Sequence, residues 1–226
     1  LNPDIDFTDG ETCSVAIAAA NVSDQDGASN NLAADYLFSF TAINVCALTY
    51  TPIYAIQGSG AAAAITGVVT TQGVVVGDYE GPAPTLRGFY IQDVNGDGNP
   101  STSDGIFVFN GDNNNVSLGD LVRVTGTAAE FQDQTQLSSV TALANCGSGT
   151  VAPVDVTLPA PSATYLEQYE GMLVRFPQPL YVSEHFQLGR FGQVLLSANG
   201  RLHQPTNVVA PGAPALALQA QNDLNK

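Results

Sequence analysis

Between residues 65 and 143 the chain is a series of five runs rich in β-branched and aromatic residues, with turn residues between them. The first run, VVTTQGVVV at 68–76, contains Gly73, and glycine is the usual residue where a barrel strand bends. The other runs lie at 88–92, 106–109, 121–127 and 135–143. Five strands with a long, bent first strand predict a small closed barrel of the OB type, although an open sandwich gives similar spacing.

Two further strands are predicted near the start of the chain, at 12–18 and 36–40, because apolar side chains alternate there. Two strands are too few for a stable sandwich. If this region is part of an Ig-like β domain, most of that domain is missing. Its partner strands would come from residues outside this sequence or from another chain.

The predicted organisation is all-β and has three parts. Residues 1–45 form the C-terminal part of the Ig-like domain, and residues 46–148 form the OB-like barrel, which an extended linker at 45–60 precedes. Residues 149–226 form a second β-rich module that ends in a linker or a short helix.

The loop between the second and third barrel strands has the ligand spacing of a twelve-residue calcium loop. Oxygen-bearing side chains occupy alternate positions from Asp93, and Gly98 stands at the sixth position, where such loops turn sharply. The last position is an aspartate rather than a glutamate, and the flanks are strands rather than helices. A polar hairpin loop without an ion is the alternative. The predicted calcium ligands are Asp93, Asn95, Asp97, Asn99, Ser101 and Asp104.

The charge of the chain restricts its partners. Six Lys and Arg residues against 21 Asp and Glu residues give a net charge of −15. Phosphate binding depends on Lys and Arg, so a strong nucleic-acid surface is not expected. An acidic surface instead suits solubility or cation binding. No apolar stretch approaches the length of a membrane span, and we expect no membrane partner.

Weak contact with DNA remains compatible with this composition. A barrel of the OB type binds nucleic acid through aromatic side chains that stack on bases and basic groups that reach phosphates. The candidates are Tyr79, Tyr90, Arg123 and Phe131. Some of these positions could be core instead, since alternate strand residues point inward. The sequence contains no catalytic motif around its two histidines, and we assign no catalytic residue.

Three cysteines, Cys13, Cys46 and Cys146, predict one disulfide and one free thiol in an exported protein. Pairing of Cys46 with Cys146 would close a loop of roughly 100 residues, which is favourable in the chain-entropy model. Pairing of Cys13 with Cys46 is the alternative.

Several segments resemble the non-catalytic region of large secreted bacterial nucleases. They include YAIQGSG at 54–60, GFYIQD followed by GDGNPSTSDGIFVF, SLGDLVRVTGTAAEFQDQTQL, the stretch at 169–212 from YEGMLVRFPQPLYVSEHF to HQPTNVVAPG, and the closing ALQAQND. The stretch DFTDGETCSVAIAAANVSDQDG is similar to the end of an Ig-like domain found upstream in such proteins. Together these segments cover nearly the whole chain.

The resemblance implies an OB-like domain that precedes a catalytic domain of the endonuclease/exonuclease/phosphatase type. That domain, with its divalent metal, would lie beyond Lys226, so no catalytic residue matches here. The resemblance also implies the Cys46–Cys146 disulfide.

Two hypotheses for function follow. The first is an accessory module of a secreted, metal-dependent nuclease, which is stabilised by calcium and positions the catalytic domain or contacts DNA weakly. The second is a subunit of an extracellular β-rich assembly, such as a filament or a matrix, in which a neighbouring subunit completes the N-terminal strands.

Overall fold

A computed structural model of the chain describes residues 7–25, 27 and 30–226. Most of its regular structure is β-sheet, as predicted. The strands and helices in the described residues are β1 Thr12–Ile17, β2 Tyr36–Thr41, α1 Ile53–Gln57, β3 Gly67–Tyr79, β4 Gly88–Gln92, β5 Gly105–Phe109, β6 Asp120–Glu130, β7 Thr135–Ser148, β8 Val154–Asp155, β9 Val174–Arg175, β10 Leu180–Glu184, α2 Leu188–Phe191, β11 Leu195–Ala198 and α3 Ala213–Asp223. Short 3-10 turns cover Ala19–Asn21, Val45–Ala47, Tyr165–Tyr169 and Pro205–Asn207.

The five predicted central strands form a closed barrel in the order β3-β4-β5-β7-β6, with β6 pairing back onto β3. All neighbours are antiparallel except β5 and β7, which are parallel. Strand β3 is long enough to pair with β6 along its first part and with β4 along its second part. A bulge between Val75 and Gly77 shifts its register with β4. The single bent first strand predicted from the sequence is therefore confirmed.

The barrel interior is filled by alternate strand residues, as the period of a β-strand requires. Phe89 and Ile91 of β4, Ile106 and Val108 of β5, and Leu137 of β7 are fully buried in one cluster. Barrel closure leaves the five strands without free edges, which is how such proteins avoid unpaired backbone groups.

Helix α1 occupies part of the segment predicted to be an extended linker, so that prediction is wrong from residue 53 to residue 57. Ile53 and Ile56 are fully buried and join the barrel cluster, which the two-residue apolar signal did not reveal. Pro52 precedes the helix, and Gly58 follows it with a φ of 74°. Glycine adopts this left-handed conformation without steric cost, so it ends the helix.

The chain after the barrel adds two small sheets and a helix. Strands β8 and β9 pair in parallel, and β10 and β11 form an antiparallel hairpin. A second buried cluster of Leu158, Ala160 and Ala198 lies beneath them. The C-terminal helix α3, predicted as one of two possibilities, is present.

The chain divides into two units, Leu1–Thr49 and Tyr50–Lys226. The first contains the predicted pair of strands, β1 and β2, antiparallel from Thr12 opposite Thr41 to Ile17 opposite Tyr36. Every residue of β2 is exposed, and among the described residues neither strand has a second neighbour. In its present form this sheet therefore lacks the layer that would bury its apolar side chains.

One disulfide joins Cys46 to Cys146, and Cys13 is a free thiol. Of the two pairings that cysteine spacing left open, the one implied by the resemblance is confirmed. In the described ranges of the chain, every helix is too short or too polar to cross a membrane.

Candidate functional site

Aromatic side chains line a cleft on the outer face of the barrel. Tyr79 at the end of β3 meets Tyr90 of β4 edge to face, with ring centroids 6.1 Å apart. Tyr90 in turn packs on Phe107 of β5 at 4.8 Å. Tyr90 and Phe107 are register partners, and Gly77 lies opposite Tyr90 on the other side. A Cβ at Gly77 would lie 2.9 Å from the Tyr79 ring, so the glycine makes room for the aromatic pair.

The cleft has a volume of about 290 Å³. Its second wall comes from Met172 and Leu173, more than 80 residues along the chain from Tyr90. Gln134 closes one end, and its amide nitrogen donates to the Tyr90 hydroxyl at 3.3 Å. The cleft thus offers two phenol rings, an apolar wall and one amide, which suits a flat, partly polar group.

The remaining predicted contact residues take different positions. Phe131 faces Gln134 across the β6–β7 turn, with reciprocal backbone hydrogen bonds of 2.9 and 3.2 Å, and its side chain is 58% exposed. Gln132 and Asp133 at the tip have positive φ, as a two-residue hairpin turn requires. Arg123 of β6 is the register partner of Gln72 on β3 and of Ala144 on β7, and it does not line the cleft. The structure therefore brings Tyr79 and Tyr90 together, places Phe131 opposite Gln134 across the turn, and leaves Arg123 apart.

The carboxylate of Glu170, next to the apolar wall of the cleft, holds that wall against the barrel. The Thr135 N–H donates to the Glu170 carboxylate at 2.6 Å, and the Thr135 hydroxyl donates to Glu130. Burial raises the pKa of Glu170 to about 7, and the charges of Glu167 and Glu130 add to the rise. The environment of this wall therefore opposes phosphate groups at neutral pH.

A close backbone contact fixes the same segment. A Cβ added at Gly105 would meet the backbone of Gly171 and, at 2.5 Å, the nitrogen of Met172. Gly171 has a φ of 69°, and its own added Cβ would lie 2.9 Å from the Gly105 carbonyl carbon. The two backbone segments approach each other this closely only because neither glycine has a side chain.

Asp93, the first predicted calcium ligand, follows β4 and is buried against the N-terminal end of α1. Its Oδ2 accepts the Ile53 N–H at 3.0 Å and so satisfies a helix N-terminal donor from 40 residues away. Burial, with a smaller contribution from the nearby charges of Asp104 and Asp97, raises the pKa of Asp93 to about 6. The carboxylate therefore already has a structural partner before any ion is considered.

The middle of the loop is organised by its own side chains. Asp97 Oδ1 accepts the Asn99 N–H at 2.8 Å, and Asn99 Oδ1 accepts the Ser101 N–H at 3.1 Å. Asn95 and Ser101 are exposed. Asx turns of this kind stabilise a tight loop with or without an ion.

Asp104 gives the observation that best fits an ion. Its Oδ1 is buried and has no hydrogen-bond partner, and burial together with the charge of Asp97 raises its pKa. Gly96, at a φ of 58°, wraps so closely that an added Cβ would lie 2.7 Å from this oxygen. An unpaired buried carboxylate oxygen is costly, and a hard cation would satisfy it.

The fit of the loop to calcium is partial. Its donors are hard oxygens, as calcium prefers, and Asp93, Asp97 and Asp104 influence one another electrostatically. In the described part of the chain, however, no three His, Cys, Asp or Glu side chains are arranged as a metal site. Calcium at this loop therefore stays a prediction.

Sequence reasoning missed a second, polar cavity of about 410 Å³. Gln57, Ser59, Ser103, Tyr165 and Glu167 are among its lining residues, and they come from three distant segments. The Tyr165 hydroxyl lies 3.1 Å from that of Tyr169, and this hydrogen bond raises the pKa of Tyr169 to about 12. No local pattern could have indicated this cavity, because it depends on how the segments pack.

Three comparisons, with family models, with curated proteins and with solved structures, found no match to this chain.

Proposed function

We propose that residues 50–148 form an OB-type barrel that serves as a non-catalytic binding module of a secreted nuclease. The strand order supports the assignment, because a five-stranded Greek-key barrel with parallel third and fifth strands is the OB arrangement. The observation that carries the function is the aromatic cleft of Tyr79 and Tyr90, and exposed Phe131 lies opposite the cleft residue Gln134 in the β6–β7 turn. Tyr79 and Tyr90 belong to the first and second barrel strands, and Gln134 ends the loop between the fourth and fifth; in OB barrels the loops between these strand pairs border the oligonucleotide-binding face, which supports the proposal.

The expected contact is a base stacked on aromatic rings rather than a phosphate held by cations. Stacking contributes about 1–3 kcal/mol per base in single-strand binding proteins. The carboxylates of Glu130 and Glu170, which both accept hydrogen bonds from Thr135 next to the cleft residue Gln134, and the net charge of −15 weaken the electrostatic contribution. Binding would therefore be weak, would favour single strands, and would depend little on added salt.

Calcium at residues 93–104 would stabilise the module. The unpaired Asp104 oxygen is the contact that supports this proposal, and Asp97 and Asn95 would supply further oxygens. Such a site, together with the disulfide, suits an oxidising, calcium-rich exterior. The chemistry of DNA cleavage, with its divalent metal, would belong to a separate catalytic domain that this module positions.

The test is binding of a fluorescent single-stranded oligonucleotide, followed by anisotropy with and without calcium. Tyr79→Ala and Phe131→Ala should each weaken binding about five- to tenfold, because each removes one stacking ring. Tyr50→Ala is the matched control, since Tyr50 is 42% exposed against 51% for Tyr79 but lines a different cavity. Equal losses in all three variants, or no binding by the unaltered chain, would refute the nucleic-acid proposal.

A second candidate function is favoured by the N-terminal sheet. Strands β1 and β2 expose Leu37, Tyr36 and Phe38 and have no further neighbour among the described residues. This arrangement suits a subunit of an extracellular assembly that is completed by another copy. Growth of molecular mass with concentration would support it, and a single-chain mass at all concentrations would exclude it.

A further inference from the structure

The tip of the β10–β11 hairpin exposes a group of large apolar side chains. Phe186, Leu188, Phe191 and Val194 form this group, which we call the tip surface, and Phe186 is 81% exposed. Together they present on the order of 400 Å² of apolar area, about half of one partner's share in a standard interface. A cavity of about 350 Å³ between Phe186 and Val194 could receive a side chain. A patch of this size is comparable with the largest apolar patch on a typical monomer, which is often functional.

The hairpin also has an unusual charge for this protein. Residues 180–203 contain Arg190, Arg201 and both histidines of the chain, against one acidic residue, Glu184. The Arg190 guanidinium lies 4.9 Å from the centre of the Phe191 ring, so a cation is part of the tip surface itself. In a chain with a net charge of −15, this segment is the one suited to an acidic partner.

The N-terminal sheet has the complementary properties. Residues 1–49 contain seven acidic residues and no Lys, Arg or His. Tyr36, Phe38 and Phe40 share one face of β2, with Ile17 opposite Tyr36, and all four side chains are exposed. The sheet therefore combines apolar side chains with an entirely acidic setting.

We propose that the tip surface of one copy docks on the β1–β2 sheet of a second copy. This inference rests on the assembly candidate above and names its two surfaces. Sheet-to-sheet pairing is disfavoured, because it would bring two all-acidic segments together. Pairing through the edge of β11 is hindered at Ala198, whose N–H and C=O are both bonded to the Asn225 side chain. Contact through the tip side chains avoids both obstacles.

The contact is head to tail, since each copy uses a different surface toward each neighbour. Such heterologous contacts do not stop at two copies unless they close a ring. A nucleic acid or an anionic membrane is a poorer occupant of the tip, because Arg190, the cation of the tip surface, provides little charge against a row of phosphates.

The test is sedimentation velocity of the 226-residue chain over a range of concentrations. We expect species larger than dimers that dissociate as salt is raised toward about 1 M, where charge attraction is screened. Phe186→Ser and Tyr36→Ser should each weaken association at least about tenfold. Leu216→Ser is the matched control, because Leu216 is 73% exposed on α3 and belongs to neither surface. All three positions are on the surface, so circular dichroism and melting should be unchanged.

Mixing the two variants gives the decisive measurement. Phe186→Ser retains an intact sheet and Tyr36→Ser retains an intact tip, so an equimolar mixture should form dimers and nothing larger. If the mixture stays monomeric, the two surfaces do not meet and the inference is wrong.

The other outcomes distinguish failure of this inference from failure of the assembly candidate on which it rests. If the unaltered chain is monomeric at every concentration, the assembly candidate and this inference both fail. If it associates but Phe186→Ser has no effect, the assembly candidate stands and the tip assignment fails. If the monomeric chain instead binds anionic vesicles or DNA and loses that binding in Phe186→Ser, the tip has a different occupant and the inference is overturned.

Discussion

Replacement of Gly105 by alanine should separate the segment after Glu170 from the barrel. The added Cβ would meet the backbone of Gly171 and the Met172 nitrogen, and backbone atoms cannot rotate away as a side-chain end can. Relief requires a shift of about 1 Å to restore ordinary van der Waals separation. The shift would fall on hydrogen bonds that are short and specific.

Three hydrogen bonds hold the displaced segment. Thr135 N–H donates to the Glu170 carboxylate at 2.6 Å, Ser103 donates to the Glu170 carbonyl, and Leu173 N–H donates to Gln92 Oε1 at 2.8 Å. Thr135 and Gln92 are buried, so each unpaired group costs about 1–3 kcal/mol. We expect Gly105→Ala to lower the free energy of unfolding by about 3–5 kcal/mol and the melting temperature by roughly 10 °C.

The assay is thermal and urea unfolding, with Gly60→Ala as the matched control. An added Cβ at Gly60 meets nothing within 4 Å, and this residue has no left-handed φ, so its replacement should change stability by less than about 0.5 kcal/mol. Hydrogen exchange adds a local readout, because the Thr135 and Leu173 amides should lose protection in Gly105→Ala. A variant that melts within about 2 °C of the unaltered chain and keeps these two amides protected would refute the reasoning.

Three further predictions concern protons, the disulfide and calcium. Because burial raises the pKa of Asp93 to about 6 and of Glu170 to about 7, the folded chain binds more protons than the unfolded chain between about pH 4 and 7. Urea midpoints should therefore show a gain of about 1–2 kcal/mol on going from pH 7.5 to 5, after allowance for partial exposure, and Glu170→Gln should flatten this dependence. Cys146→Ser should lower the free energy of unfolding by about 2–4 kcal/mol, whereas Cys13→Ser should change it little; equal effects in urea unfolding would contradict the structural role of the disulfide. Calcium at a hundred times its dissociation constant should add about 2.7 kcal/mol of stability that Asp104→Ala abolishes, and a calorimetric melting curve insensitive to calcium would exclude the site.

The barrel could be predicted because its strands carry their signals locally. Alternating apolar residues set which side of each strand faces inward, and the run at 68–76 predicted one long first strand, although its bulge lies between Val75 and Gly77 rather than at Gly73. Helix α1 was missed because five residues with two buried isoleucines are too short for helical periodicity to appear. The flanking Pro52 and Gly58 were the available signal, since proline before and glycine after a short apolar run indicate a helix.

The candidate site was predictable only in part, for a different physical reason. Tyr79 and Tyr90 belong to neighbouring strands, so their proximity follows from hairpin pairing. The opposite wall, Met172 and Leu173, comes from a segment whose position depends on tertiary packing. The raised pKa of Glu170 depends on the same packing and could not be inferred from its neighbours in the chain.

The contact between Gly105 and Gly171 has a consequence for how this fold can vary during evolution. Most packed pairs tolerate change by exchanging a large and a small side chain, and such exchanges leave correlated substitutions in related sequences. Here both contacting groups are backbone, so no replacement at one position can make room for a side chain at the other. We expect both glycines to be invariant wherever this segment packs on the barrel. Correlated substitution would therefore never reveal the contact, although it is among the most restrictive in the molecule.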